Sequence, residues 1–170
     1  EKCDVTLVDV KKDADVLAAF LDEYKAPYVY KASGTGFHVM LEWNDLKNYF
    51  VAPADFGSAN RAFAKFLVEK AFKGKGCRYH DSSTVGEGRG LIRASYSLHP
   101  NVARICLPLS REMRQGFTPA MTNYEEVLKS FSPPHSRLPY NHKTQGDLSR
   151  LIKEFRGSKQ DNKVQRQKEK

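Results

Sequence analysis

The run Tyr28-Val29-Tyr30-Lys31-Ala32-Ser33-Gly34-Thr35-Gly36-Phe37-His38-Val39-Met40 sets a β-rich segment, a glycine-bearing turn and a second β-rich segment in immediate succession. Tyr28-Val29-Tyr30 follows Pro27 and carries the aromatic and β-branched residues that suit a pleated surface. Ser33-Gly34-Thr35-Gly36 has turn chemistry, and Phe37 to Trp43 predicts a second strand, so the unit reads as a hairpin. The two glycines let backbone N–H groups approach an anion closely, and Ser33 and Thr35 add hydroxyl donors. His38 follows at the start of the second strand. The turn is thus either a phosphate cradle with a histidine beside it or an ordinary hairpin loop.

Working outward, Val5 to Val10 predicts a short apolar strand with Asp9 near its end. Asp13 or Asp15 is then expected to cap a helix whose apolar positions are Val16, Leu17, Phe20, Leu21 and Tyr24. Downstream, a helix from Ser58 carries Ala59, Phe63, Phe66, Leu67 and Ala71, and Gly74 and Gly76 end it. After a polar stretch from Asp81 to Gly90, Leu91-Ile92-Arg93 and Arg104 to Leu109 predict strands flanking a turn at Ser97-Leu98-His99-Pro100. Asn123, with Glu126 three residues on, predicts a capped short helix to Phe131. Asp147 is expected to cap an amphipathic helix bearing Leu148, Leu151, Ile152 and Phe155. The pattern is mixed α/β (α+β) with a C-terminal helix. It divides as an α/β domain over 1–131, a Pro-containing linker over 132–144, a helix over 145–155 and a basic tail over 156–170, expected to be disordered.

The 170 residues carry 28 Lys+Arg against 20 Asp+Glu, a formal charge of +8. Residues 156–170 hold six of those cations against two acids, so half of the net charge sits in the tail. A polyanionic partner suits such a balance, and so does a solubilising end. The chain is 40% hydrophobic, ample for a packed core, and no apolar run is long enough to span a bilayer. No secretory leader is expected, because residues 1–15 hold five acids and no long apolar run. Three cysteines at wide spacing (Cys3, Cys77, Cys106) argue against a disulfide framework and for an intracellular location, in cytoplasm or nucleus. Cys77-x-x-His80 has zinc-ligand spacing but no second pair to complete a four-ligand site, which favours an ordinary loop thiol.

Further positions bear chemistry. Asp9, at a strand end, can serve as a divalent-metal ligand or as a turn aspartate. Arg89-Gly90-Leu91-Ile92-Arg93-Ala94-Ser95-Tyr96-Ser97-Leu98-His99 sets two arginines, hydroxyls and a histidine around a short apolar strand. Such a set can hold a triphosphate, or it can be plain surface polarity. Glu87, just upstream, is a second candidate metal carboxylate.

Taken in order, these features resemble the catalytic domain of archaeo-eukaryotic primases and primase-polymerases. That superfamily shows Asp-x-Asp at a strand end, then Ser-Gly-x-Gly-x-His, then an acid shortly before Arg-x-x-Arg-x-x-x-Ser-Leu-His. The resemblance covers about residues 4–131 and is most specific over Ser33–His38 and Leu91–Pro100. It implies a sheet with an RRM-like half, a second small α/β half and a cleft between them. It implies Mg2+ or Mn2+ on Asp9 and Glu87, and phosphates held by Ser33, Gly34, Gly36 and His38. Arg93, Ser97 and His99 would neutralise a nucleoside triphosphate. The implied function is template-directed nucleotidyl transfer in DNA replication or primer synthesis, with a DNA or RNA template as partner and no membrane. The first metal motif departs from the pattern: Lys11 stands where the second carboxylate belongs, and Glu87 replaces an aspartate. That departure supports an alternative, a non-catalytic primase-derived accessory subunit binding nucleotide, nucleic acid or a replication partner. Lys11→Asp is accordingly expected to strengthen divalent-ion binding.

Overall fold

The computed structural model describes residues 6–41, 56–79, 92–130 and 148–168. Helix α1 spans Leu7–Glu23. Thr6 caps it: its Oγ1 accepts the Asp9 N–H at 3.2 Å, and its hydroxyl donates to the Asp9 carboxylate at 2.7 Å. Leu7, Val10, Ala14, Leu17, Ala18 and Leu21 recur at helical spacing, with Leu7, Ala18 and Leu21 buried. The strand expected over Val5–Val10 is therefore corrected. Leu7 to Val10 form the first turn of α1, and Val5 lies outside the described residues. A short apolar run fits a buried strand and one end of an amphipathic helix equally well. The Thr6–Asp9 cap decides for helix, and it displaces Asp13 and Asp15 from the capping role.

Strands β1 (Val29–Ala32) and β2 (Phe37–Met40) form the expected hairpin, closed by the Ser33 N–H donating to the Gly36 carbonyl at 2.8 Å. Helix α2 spans Phe56–Ala71. Further on come β3 (Leu98–His99), β4 (Arg104–Ile105) and β5 (Leu107–Leu109). The three-stranded sheet has the order β2-β1-β5, antiparallel throughout, and β3 pairs with β4 separately. Here two expectations change. Ser97–Pro100 is not the turn: Leu98–His99 is a strand, and the chain reverses between it and Arg104. Ile92 and Arg93 are not in a strand; the Arg93 carbonyl instead accepts the Lys31 ammonium at 3.0 Å, a side-chain donor in place of a neighbouring strand.

Three short helical elements follow. Ser110 caps α3 (Arg111–Gln115) by accepting the Met113 N–H, a 3-10 turn covers Pro119–Thr122, and α4 covers Tyr124–Ser130. Asn123 begins α4 as expected, its Oδ1 accepting the Glu125 N–H at 2.9 Å. Helix α5 spans Leu148–Lys168. It continues through the stretch that composition marks as a tail; low apolar content removes packing but does not forbid a helix of Lys, Arg and Gln. The Pro-containing linker, Asp147 and the Asp81–Gly90 stretch lie outside the described residues.

The core explains the order of the elements. On β1, Tyr30 and Ala32 face the helices, beside Val39 and Phe37 of β2 and Leu109 and Leu107 of β5. Against them pack Ala18 and Leu21 of α1, Phe63, Phe66 and Leu67 of α2, and Leu148, Leu151, Ile152 and Phe155 of α5. Phe155 meets Phe63 edge-on at 5.3 Å. Its helix is thus part of the core. Arg114 of α3 seals the other end: it pairs with Asp22 at 3.0 Å and donates to the Tyr28 hydroxyl, with its guanidinium 5.6 Å from the Tyr30 ring centre. Among the described residues no helix is long and apolar enough to cross a membrane.

Candidate functional site

The sheet has a second face, and its chemistry is opposite to that of the core. Lys31 and His38 are directly paired across β1 and β2, on the opposite strand face from the Tyr30–Val39 pair. Lys31 is buried, with 3% of its surface exposed, and reaches the carbonyl of Arg93. That contact brings the 92–99 segment onto the hairpin. The Arg93 guanidinium donates to the Leu98 carbonyl at 3.1 Å, and Arg104 donates to the Gly34 carbonyl at 2.9 Å. Each of the three cations is held by a backbone carbonyl. Among the described residues, none of them is matched by a carboxylate.

Gly34 shows how closely the two segments meet. Its φ is +106°, and a Cβ built there would lie 2.9 Å from the Cβ and Cδ2 of His99. Only glycine admits both that backbone and that neighbour. His38 and His99 each bury an Nδ1 that has no hydrogen-bond partner, an unusual state for buried polar atoms. Burial is the main reason that the His38 pKa falls below its ordinary value, and the charges of Lys31 and Arg93 push it the same way. The result is an imidazole kept toward its neutral form beside two cations that form no ion pair among the described residues, a setting that favours an anion. Beside it, between α1, β2 and α2, lies a cavity of about 620 Å3 whose lining includes Ser33, Thr35 and His38 together with apolar Leu17, Phe63 and Leu67.

Of the residues singled out in the sequence, Ser33, Gly34, Gly36, His38, Arg93 and His99 converge here. Ser33 spends its N–H on closing the turn. Ser97 is in the same segment, but its hydroxyl donates to the Ala94 carbonyl at 2.6 Å and shapes the turn before β3. Asp9 does not join them. Val10, rather than Asp9, approaches the hairpin turn, lying 3.9 Å from where a Cβ on Gly36 would sit. Asp9 is occupied with Thr6 and with Lys12 at 2.9 Å, which hold its carboxyl down at about 2. Lys11 pairs with Asp15, one turn further along α1. Glu87 and His80 lie outside the described residues; Cys77 donates to Asp13 at 3.2 Å. Among the described residues no three carboxylates, imidazoles or thiols cluster as metal ligands would. Lys31 and Arg104 are the residues that sequence reading passed over. The one available signal was a lysine in an otherwise apolar strand beside the glycine turn.

Comparison with protein-family models, with curated proteins and with solved structures returned no match.

Proposed function

We propose that this chain is a primase-polymerase-like domain that holds a nucleoside triphosphate against the Ser33–His38 turn and engages a nucleic acid. One observation carries the reading: Lys31, His38, Arg93, His99 and Arg104, drawn from separated segments, surround a glycine turn and, among the described residues, form no ion pair with a carboxylate. A polyphosphate supplies the missing charge, and the adjoining cavity offers apolar surface for a base. The resemblance of Ser33–His38 and Leu91–Pro100 to the superfamily supplies the identity of that ligand.

Nucleotidyl transfer in that superfamily needs divalent ions held by shared carboxylates. The described residues do not fit such a centre. Asp9 is committed to Thr6 and Lys12 at a helix start, and Lys11 beside it adds positive charge. This favours the non-catalytic form of the reading: nucleotide binding retained, transfer lost. Calorimetry with a nucleoside triphosphate in chelator is expected to show binding. His38→Ala and Arg93→Ala are each expected to weaken it about 10- to 150-fold, the effect of about 1.5–3 kcal/mol for a charge-assisted contact. Unchanged affinity in both variants removes the site assignment. Primer extension with Mg2+ or Mn2+ is expected to give no product, and incorporation would restore the catalytic form.

A further inference from the structure

Helix α5 changes character along its length. Its first two turns bury Leu148, Leu151, Ile152 and Phe155; beyond Phe155 its sequence has one aliphatic residue, Val164. At about 100° per residue, positions 156, 159, 163 and 166 fall within an arc of about 80°. They are Arg156, Lys159, Lys163 and Arg166. No other position between 156 and 168 falls in that arc, and Asp161, the one acid of the stretch, lies about 180° from its middle. Positions 148 and 152 share the arc, so the cationic line prolongs the face by which the helix packs on the core.

A charge that only keeps a protein soluble has no reason to segregate to one face, since solubility follows net charge. This segregation matters only if something lies along the face. The four positions cover about 15 Å, one cation per about 5 Å of helix. That approaches the density of one phosphate per about 3.4 Å on each strand of a duplex. An anionic membrane is a poorer match, because interfacial helices need an apolar face beside the cationic one.

We infer that the C-terminal half of α5 is a phosphate-backbone-binding rod for nucleic acid, with Arg156, Lys159, Lys163 and Arg166 as its contacts. The rod gives the nucleic-acid part of the proposed function a surface, rests on that part, and is independent of the triphosphate turn. It also makes the contact a folded one, carried by the packing of Phe155, and not that of a loose tail.

The test uses the full chain, a 20-nucleotide single strand and a duplex of the same sequence, with affinity measured across a salt series. One variant, R156Q/K159Q/K163Q/R166Q, removes the line. A second adds G157K/S158K/V164K/Q165K, which restores the net charge on the opposite face. Gly157 has open space at its Cβ, and Gln and Lys are good helix formers, so both variants are expected to keep their helicity and melting temperature. In both, the magnitude of the log–log salt slope is expected to fall by about 2 to 4, at about 0.7 per contact on the single strand and 0.9 on the duplex. Triphosphate affinity is expected to stay at the wild-type value, so loss of the rod and loss of the turn are read separately. A second variant that binds like wild type overturns the inference, because net charge alone then suffices. An unchanged slope in the first variant overturns it too, as does tighter wild-type binding to phosphatidylserine vesicles than to either nucleic acid. Should the eightfold variant melt early, R156Q/K163Q with and without G157K/V164K reads the same contrast at half amplitude.

Discussion

Gly34 and the two histidines decide the site at the scale of single residues. Gly34→Ala places a methyl group 2.9 Å from His99 at a φ of +106°. Backbone strain of about 1–3 kcal/mol and overpacking of similar size are both incurred. Thermal unfolding is expected to show a loss of about 2–4 kcal/mol, accompanied by weakened triphosphate binding. An unperturbed melting temperature would mean that the 92–99 segment is not held against the turn. His38 adds a pH signature. The unfolded chain protonates this imidazole near 6.5, whereas the folded chain does so only at lower pH. Between the two, the unfolded state carries more protons, so stability falls as pH drops through that window. His38→Gln is expected to flatten the stability profile there. A bound triphosphate reverses the bias by favouring the imidazolium. Wild-type binding near pH 6 is therefore expected to take up protons, read by calorimetry in buffers of different ionisation enthalpy, and H38Q to take up fewer. Equal uptake in the two proteins contradicts a role for His38 at the phosphates.

At the scale of the element, α1 changes the meaning of the residues on it. In a strand, Asp9 and position 11 would share a face; in a helix they point about 200° apart. Lys11→Asp therefore builds no carboxylate pair with Asp9, contrary to what the sequence suggests. It removes the ion pair with Asp15, which also accepts the Tyr30 hydroxyl, and sets two carboxylates one turn apart. A destabilisation of about 1 kcal/mol is expected, read by thermal unfolding, and a K11D melting temperature at or above the wild-type value contradicts the helix. The hairpin was legible in the sequence because turn chemistry is local: Ser33 to Gly36 specify a reversal whatever surrounds them. The α2 and α5 apolar faces were legible for the same reason, through their spacing. The start of α1 was not, because Val5 to Val10 satisfies two periods and a single threonine hydroxyl separates them. The positive face of the sheet was half legible. His38, Arg93 and His99 lie in recognisable motifs, whereas Lys31 and Arg104 join them only through pairing between segments some seventy residues apart.

At the scale of the whole molecule, α5 closes the core and carries the cationic line, so its two halves have separable effects. Leu148, Leu151, Ile152 and Phe155 are almost wholly buried, and Tyr24 of α1 donates to Glu154 at 3.0 Å. Each large apolar side chain contributes about 1.5–3 kcal/mol by burial, an upper estimate because unfolded chains already hide part of that surface. Four of them together rival the about 5–15 kcal/mol by which a domain is stable at all. A chain ending at Asp147 is therefore expected to lose its cooperative thermal transition and its near-ultraviolet dichroism. Phe155→Ala in the full chain is expected to cost about 3–5 kcal/mol, because it opens a cavity against Phe63 and Phe66. A chain ending at Ser158 keeps all four side chains and is expected to melt close to the full length, while losing three of the four cations in line. If instead the chain ending at Asp147 unfolds cooperatively at the full-length temperature, α5 is dispensable to the core. The cationic line would then hang from a helix that nothing holds in place.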